Sequence, residues 1–180
     1  FLTDYMRLRN PQNAERVWIV HRLDRETSGL MVFAKTDTAK RTLQAQRPEV
    51  EKRYLAVVEG EPATNQGVLT SHLDESGPFK VFSVASSERT RHAVTHFQVV
   101  KQNEFYALIE LTPDTGRRNQ IRVHLADAKC PIIGDKKYGA QTNPARRLGL
   151  HASSLQFTHP SSGELLKFES ALPRKLARLL

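Results

Sequence analysis

HRLDRETSGL, residues 21–30, sets Asp24 between two arginines, Arg22 and Arg25, just ahead of the apolar run that starts at Leu30. A carboxylate between two guanidiniums is expected to have a lowered pKa and to stay charged. It is then either one end of a structural ion pair or a poised nucleophile or base, and local chemistry leaves both readings open. A second concentration of charge lies in TPDTGRRNQIRVHLADAKCPIIGD, residues 112–135. There Arg117, Arg118 and Arg122 crowd what reads as the first turns of a helix. Cations at a helix N-terminus oppose the macrodipole, so something anionic should offset them: a buried carboxylate, a phosphate backbone, or both.

Other constellations are weaker. His21-Arg22 lacks the Asp, the downstream Asn and the Gly-rich loop that a kinase catalytic loop needs. GDKKYG, residues 134–139, lacks the spacing of a phosphate-binding loop and reads as a turn. His92 and His96 are four apart on a predicted strand with no cysteine pair or acid beside them, so no metal is expected there. Cys130, the single cysteine, sits before a proline in an apolar context and reads as a core thiol. It also excludes an intrachain disulfide and points to a reducing, cytoplasmic compartment.

The elements that must position these groups follow from apolar periodicity. The 180 residues suffice for one domain. With 39% hydrophobic and 26% charged residues, the composition is that of an ordinary globular chain. No apolar run approaches the ~20 residues of a membrane span. Lys and Arg outnumber Asp and Glu by 27 to 19, a net +8 that favours a polyanionic partner such as nucleic acid. Strands are predicted over 17–20, 30–34, 54–58, 68–73, 81–84, 93–100, 105–111, 155–157 and 165–168. Helices are predicted over 39–46, ended by Pro48, from Thr115 or Gly116 to Pro131, and after Pro173. Ile121, Leu125 and Ala128 form one apolar face of the second helix. Strands outnumber helices, which predicts an α+β fold with a mixed, mostly antiparallel sheet and flanking helices.

Asp24 in its HRLD context, followed by TSGL and AK, together with GRxxQIRVHL, resembles the RluA-type RNA pseudouridine synthases. YLAVVEG at 54–60, PIIGDKKYGA and LHASSLQFTHP at 150–160 extend the match to about residues 17–173. The resemblance implies a pseudouridine synthase fold with a central basic cleft, and conversion of uridine in RNA, rRNA or tRNA, to pseudouridine without cofactor or metal. It implies that Asp24 is the catalytic aspartate, with Arg122 pairing with it inside the cleft. It implies that Tyr54 stacks on the target base and takes part in proton removal from C5, and that Arg22 fills the space left by the flipped nucleotide. Arg25, Arg117, Arg118 and Gln120 are then expected to contact RNA, and the protein to act as a monomer.

Two departures stand out. The family usually carries a Lys-Pro-x-Gly segment well before HRLD, and this chain does not. The expectation is therefore a catalytic domain over residues 1–180 that lacks its N-terminal segment. Many members also have Thr-His or Ser-His where this chain has Arg118-Asn119. That change is expected to affect RNA contacts more than chemistry. The competing readings are a non-catalytic RNA-binding fragment of such an enzyme and, more weakly, an aspartate-dependent nucleoside hydrolase.

Overall fold

The computed structural model describes residues 17–46 and 49–180. Pro48, expected to end the first helix, lies outside the described residues. Among the described residues ten strands and three short α-helices follow one another: β1 Trp18–Ile19, β2 Ser28–Gly29, β3 Phe33–Ala34, α1 Asp37–Ala45, β4 Glu51–Glu59, β5 Gln66–Asp74 and β6 Phe82–Val84. Then come β7 Arg91–Gln102, β8 Tyr106–Pro113, α2 Gln120–Asp127, a 3-10 turn Lys136–Tyr138, β9 Leu150–Thr158, β10 Leu165–Glu169 and α3 Arg174–Ala177.

One eight-stranded sheet carries the architecture, in the order β10-β9-β4-β8-β7-β5-β6, with β2 alongside β9. Every pairing in it is antiparallel except that of β2 with β9. The α+β class and the mostly antiparallel sheet expected from the sequence are therefore what forms. Alternation places Ala56, Val58, Ile109 and Leu111 in one core with Ile121 and Leu125 of α2, Cys130 and Ile132. Cys130 is a core thiol, as its context predicts. A second core lies around Val57, where Ile133, Ala145 and Leu176 of α3 close it. The predicted 17–20 strand shrinks to two residues, and Ile19 is 62% exposed rather than buried.

α1 starts where the sequence says it should. Thr36 caps it, its hydroxyl accepting the Ala39 N–H at 3.1 Å. α2 starts later than expected, at Gln120 rather than Thr115 or Gly116. Arg117 and Arg118 therefore precede the helix, and only Arg122 lies in it. A buried polar seam bolts α2 to the sheet. The Gln120 amide donates to Val94 O at 2.8 Å and Thr95 Oγ1 at 2.9 Å, while the His124 ring bridges Thr95 and Ser71, each at 3.0 Å. Burial holds His124 below the ordinary histidine range, so it packs as the neutral ring that this seam needs.

Two backbone features bring distant segments together. Gly29 has φ +115, and a Cβ there would sit 2.2 Å from Ala152 O. Only glycine lets β2 lie this close to β9. Opposite Ala152 on its other side stands Tyr54 of β4, at a register shift between Arg53 and Tyr54. Such irregularities re-aim side chains. Gly29, five residues after Asp24, and Tyr54 thus flank the same residue of β9.

Candidate active site

Asp24 opens a turn. Its carbonyl accepts the Thr27 N–H at 3.1 Å, and Glu26 takes φ +73 to complete the reversal. His21 braces the segment by accepting the Val32 N–H on Nε2 at 3.1 Å. Ser28 ties it to β9 through His151 at 2.8 Å. The turn presents a half-buried Asp24 while Arg22 and Arg25 stay exposed.

The carboxylate meets the residue just before α2. The backbone N–H of Asn119 donates to Asp24 Oδ1 at 3.3 Å. The expected lowering of the Asp24 pKa does not occur. Burial raises it above the ordinary aspartate range, against the opposing effects of the Asn119 N–H, the Arg122 charge and the Arg22 charge. Arg22 and Arg25 point their charges into solvent, where water screens them, so the loss of hydration at the carboxylate prevails. Tyr54 faces the same acid. Burial and then the Asp24 charge push its phenol up to about 12, so it is neutral at pH 7.

Arg122 corrects a second expectation. Its ion pair is with Asp135 rather than with Asp24: Nε and Nη2 each donate to that carboxylate at 2.7 Å. Nη1 donates to Asn119 Oδ1 at 2.9 Å. Burial works against the guanidinium charge, but the bidentate partner outweighs it and holds the Arg122 pKa above its usual range. Asp24 feels Arg122 as a neighbouring charge, not as a salt-bridge partner. The anion that the helix-start cations need is therefore in part internal, and it is Asp135. That residue is 2% exposed, set by the turn around Gly134, which has φ +76. The Tyr138 ring lies 5.0 Å from the Arg122 guanidinium and closes the cluster.

The five residues expected at RNA divide. Arg22, Arg25 and Arg117 are exposed and free to meet a phosphate, although Arg117 Nε also donates to His92 O at 3.1 Å. Gln120 is 3% exposed and fully engaged: besides Val94 and Thr95, its Oε1 accepts from Thr115 Oγ1 at 2.7 Å and from the Arg117 N–H at 3.1 Å. It is a structural residue, contrary to expectation, because the helix begins at it and turns it toward the sheet. Arg118 is likewise taken inward. Its Nη2 donates to the carbonyls of Glu75 and Gly77, and its N–H to the Glu75 carboxylate. His92 and His96 also part company, His92 lying against the His72 ring at 5.2 Å and His96 bonding Asp114 at 2.8 Å.

The sequence reading missed Asp135 and Tyr138 and took Asn119 only as a position affecting RNA contacts. Asn119 had a signal. It is a capping-type residue placed just before an apolar-periodic run. Asp135 had a weaker one, an acid directly after the apolar IIG run. Nothing local marks Tyr138.

The RNA pseudouridylate synthase family model matches residues 3–127, which include Asp24, Tyr54 and Arg122. The chain belongs to that family. A Bacillus subtilis relative, uncharacterized RNA pseudouridine synthase YlyB, is 37% identical over 168 residues, 92% of this chain and 55% of the relative. The ribosomal large subunit pseudouridine synthase D of Xanthomonas campestris is 35% identical over 197 residues, 99% of this chain and 59% of the relative. The chain thus spans little more than half the length of these curated relatives. The solved structure of human RNA pseudouridylate synthase domain containing 4 superposes with a TM-score of 0.82 at 30% identity, covering 98% of this chain and 79% of that one. The sheet order and the Asp24 turn therefore belong to a pseudouridylate synthase fold.

Proposed function

We propose that this chain is the catalytic domain of an enzyme that isomerises uridine in RNA to pseudouridine, with Asp24 as the reacting acid. The observation that carries the reading is a half-buried carboxylate on a tight turn, facing the Tyr54 phenol and the Asn119 N–H beside the Arg122–Asp135 pair. Such a group is partly withdrawn from water, and the Asn119 N–H and the Arg122 charge beside it favour its ionised form.

The reaction breaks the N1–C1′ bond, rotates the uracil and joins C5 to C1′. The C5 proton is lost and N1 gains one, so no oxidant and no co-substrate is consumed. Asp24 serves either by bonding to C1′ as the base leaves or by taking a proton from the sugar. Both routes require the ionised form, so Asn119 and Arg122 matter as the groups that favour it. A base paired in a helix must be everted before C1′ can be reached. Arg22, exposed two residues from Asp24, is the guanidinium placed to occupy the vacated stack. Tyr54 offers an aromatic face to the flipped uracil. With its pKa near 12 it acts as a phenol and hydrogen-bond donor at pH 7, not as a standing base. Arg25 and Arg117 hold phosphates with little sequence preference.

The names of the relatives favour ribosomal RNA as the substrate class. No described helix is long and apolar enough to cross a membrane. We assign the protein to the cytoplasm, acting as a monomer. The test is Asp24→Asn in the full-length protein, with pseudouridine in total RNA quantified by nucleoside chromatography. Product should vanish while RNA affinity persists. Undiminished product would remove Asp24 from the chemistry, and an inert wild type that still binds RNA would favour the non-catalytic reading.

A further inference from the structure

Asn119 has φ +53, in the left-handed region, yet it is not glycine and is 6% exposed. Asparagine tolerates that region better than most residues because its short amide bonds locally. Here the amide bonds across the site. Its Oδ1 accepts from Arg122 Nη1 at 2.9 Å, and the Tyr138 ring lies 5.0 Å from that guanidinium. The Tyr138 hydroxyl accepts the Val81 N–H at 3.2 Å. The left-handed turn makes Asn119 the last residue before α2 and directs its own N–H away from the helix, onto Asp24 Oδ1. No other hydrogen bond to the Asp24 carboxylate is seen among the described residues.

We propose that Asn119 is a positioning residue for Asp24: its left-handed backbone aims one peptide N–H at the carboxylate, and its side chain locks that peptide to Arg122. This rests on the reading of Asp24 as the reacting acid. It also reverses the expectation that the Arg118-Asn119 departure concerns RNA contacts. The charged and titratable groups around Asp24 are Arg22 on its own turn, Tyr54 on β4, Arg122 on α2, and Asp135 and Lys137 at the 3-10 turn. Among the described residues only the Asn119 peptide touches Asp24 directly by hydrogen bond, so its orientation depends on a backbone conformation and not on a side-chain charge.

The consequence is an unusual ranking of substitutions. Glycine adopts φ +53 freely, alanine does so under strain, and a β-branched valine is excluded. Function should therefore follow Asn, Gly, Ala, Val, although glycine has no side chain at all. The experiment uses the full-length protein with Asn119→Gly, Asn119→Ala and Asn119→Val. Titration of Asp24 is followed by NMR of carboxyl-labelled aspartate, and kcat and KM for pseudouridine formation are measured across pH.

Asn119→Gly should titrate as wild type and lose no more than about threefold in kcat through the missing lock to Arg122. Asn119→Val should titrate about one pH unit higher, because the N–H no longer reaches the carboxylate. Its kcat should fall about a hundredfold with KM nearly unchanged. Identical titration in all four proteins overturns the proposal. So does Asn119→Gly behaving like Asn119→Val, which would assign everything to the amide side chain. An effect on KM alone also overturns it, since that would make Asn119 an RNA contact. The glycine variant guards against misfolding of the valine one. The NMR titration stands even if the wild type makes no pseudouridine, so the two readings fail separately.

Discussion

The two halves of the site are built in opposite ways. The segment 17–34, which carries Asp24, consists of three two-residue strands and a turn, with Ile19, Arg22 and Arg25 open to solvent. The segment 119–138 holds Asn119, Gln120, Arg122 and Asp135, each at most 8% exposed and each hydrogen-bonded inside the protein. One half presents the acid on a light support. The other supplies a rigid set of dipoles and charges against which the acid is placed. Electrostatic stabilisation works best when donors need no reorganisation, and the cost of keeping them fixed falls on the buried half.

That contrast can be broken most severely at Asp135. Asp135→Ala leaves Arg122 charged and buried without its partner, a loss of about 3–5 kcal/mol. Thermal or urea unfolding should show it, and a loss no larger than that of an exposed arginine would mean the second half is not rigid. Next comes Gly29→Ala, whose Cβ would strike Ala152 O and lift β2 from β9. We expect about 2–3 kcal/mol of destabilisation. Activity should fall well beyond the unfolded fraction, because the Asp24 turn moves with β2. Unaltered specific activity would uncouple turn and sheet.

A third test concerns the sign of a charge. Folding raises the Asp24 pKa, so the folded chain binds the proton more tightly than the unfolded one. Between the two values stability falls as pH rises, and at pH 7.5 the ionised acid is a burden. Asp24→Asn should then abolish product yet melt up to about 4 °C higher at pH 7.5. The gap should close as pH drops toward the ordinary aspartate value of 3.8. A variant that melts lower at pH 7.5 would show that Asp24 is a structural ion-pair member. His124 has the opposite sign. Its lowered pKa contributes stability above about pH 6.5 that is lost on acidification. His124→Gln should flatten that slope in a melting curve series.

The smallest effect belongs to the light half. Arg25→Ala should change stability by less than about 0.5 kcal/mol and reduce the salt slope of RNA binding by about one phosphate contact. A salt slope equal to that of wild type would take Arg25 off the RNA.

Most strand positions were legible because alternation of apolar residues encodes a sheet face: β4, β7 and β8 formed where Tyr54–Val58, Ala93–Val100 and Phe105–Leu111 suggested. The helix boundary near residue 116 was not. Thr115-Gly116 resembles a helix start, but the chain makes its turn at Asn119 by a left-handed residue that periodicity cannot detect. Gln120 looked like a polar contact because nothing local shows that Val94 and Thr95 lie above it.

Residue order alone determined the acid, its turn and its glycine, since HRLDRETSGL places Asp24 and Gly29 on one short loop before an apolar run. It also determined the arginine at the front of α2. Tertiary structure decided their relations. Asp24 meets a peptide 95 positions away, Arg122 chooses Asp135 over Asp24, and burial reverses the shift that two neighbouring arginines suggest. Hydration of a charge and distance between charges exist only once the sheet has closed, so neither can be read along the chain.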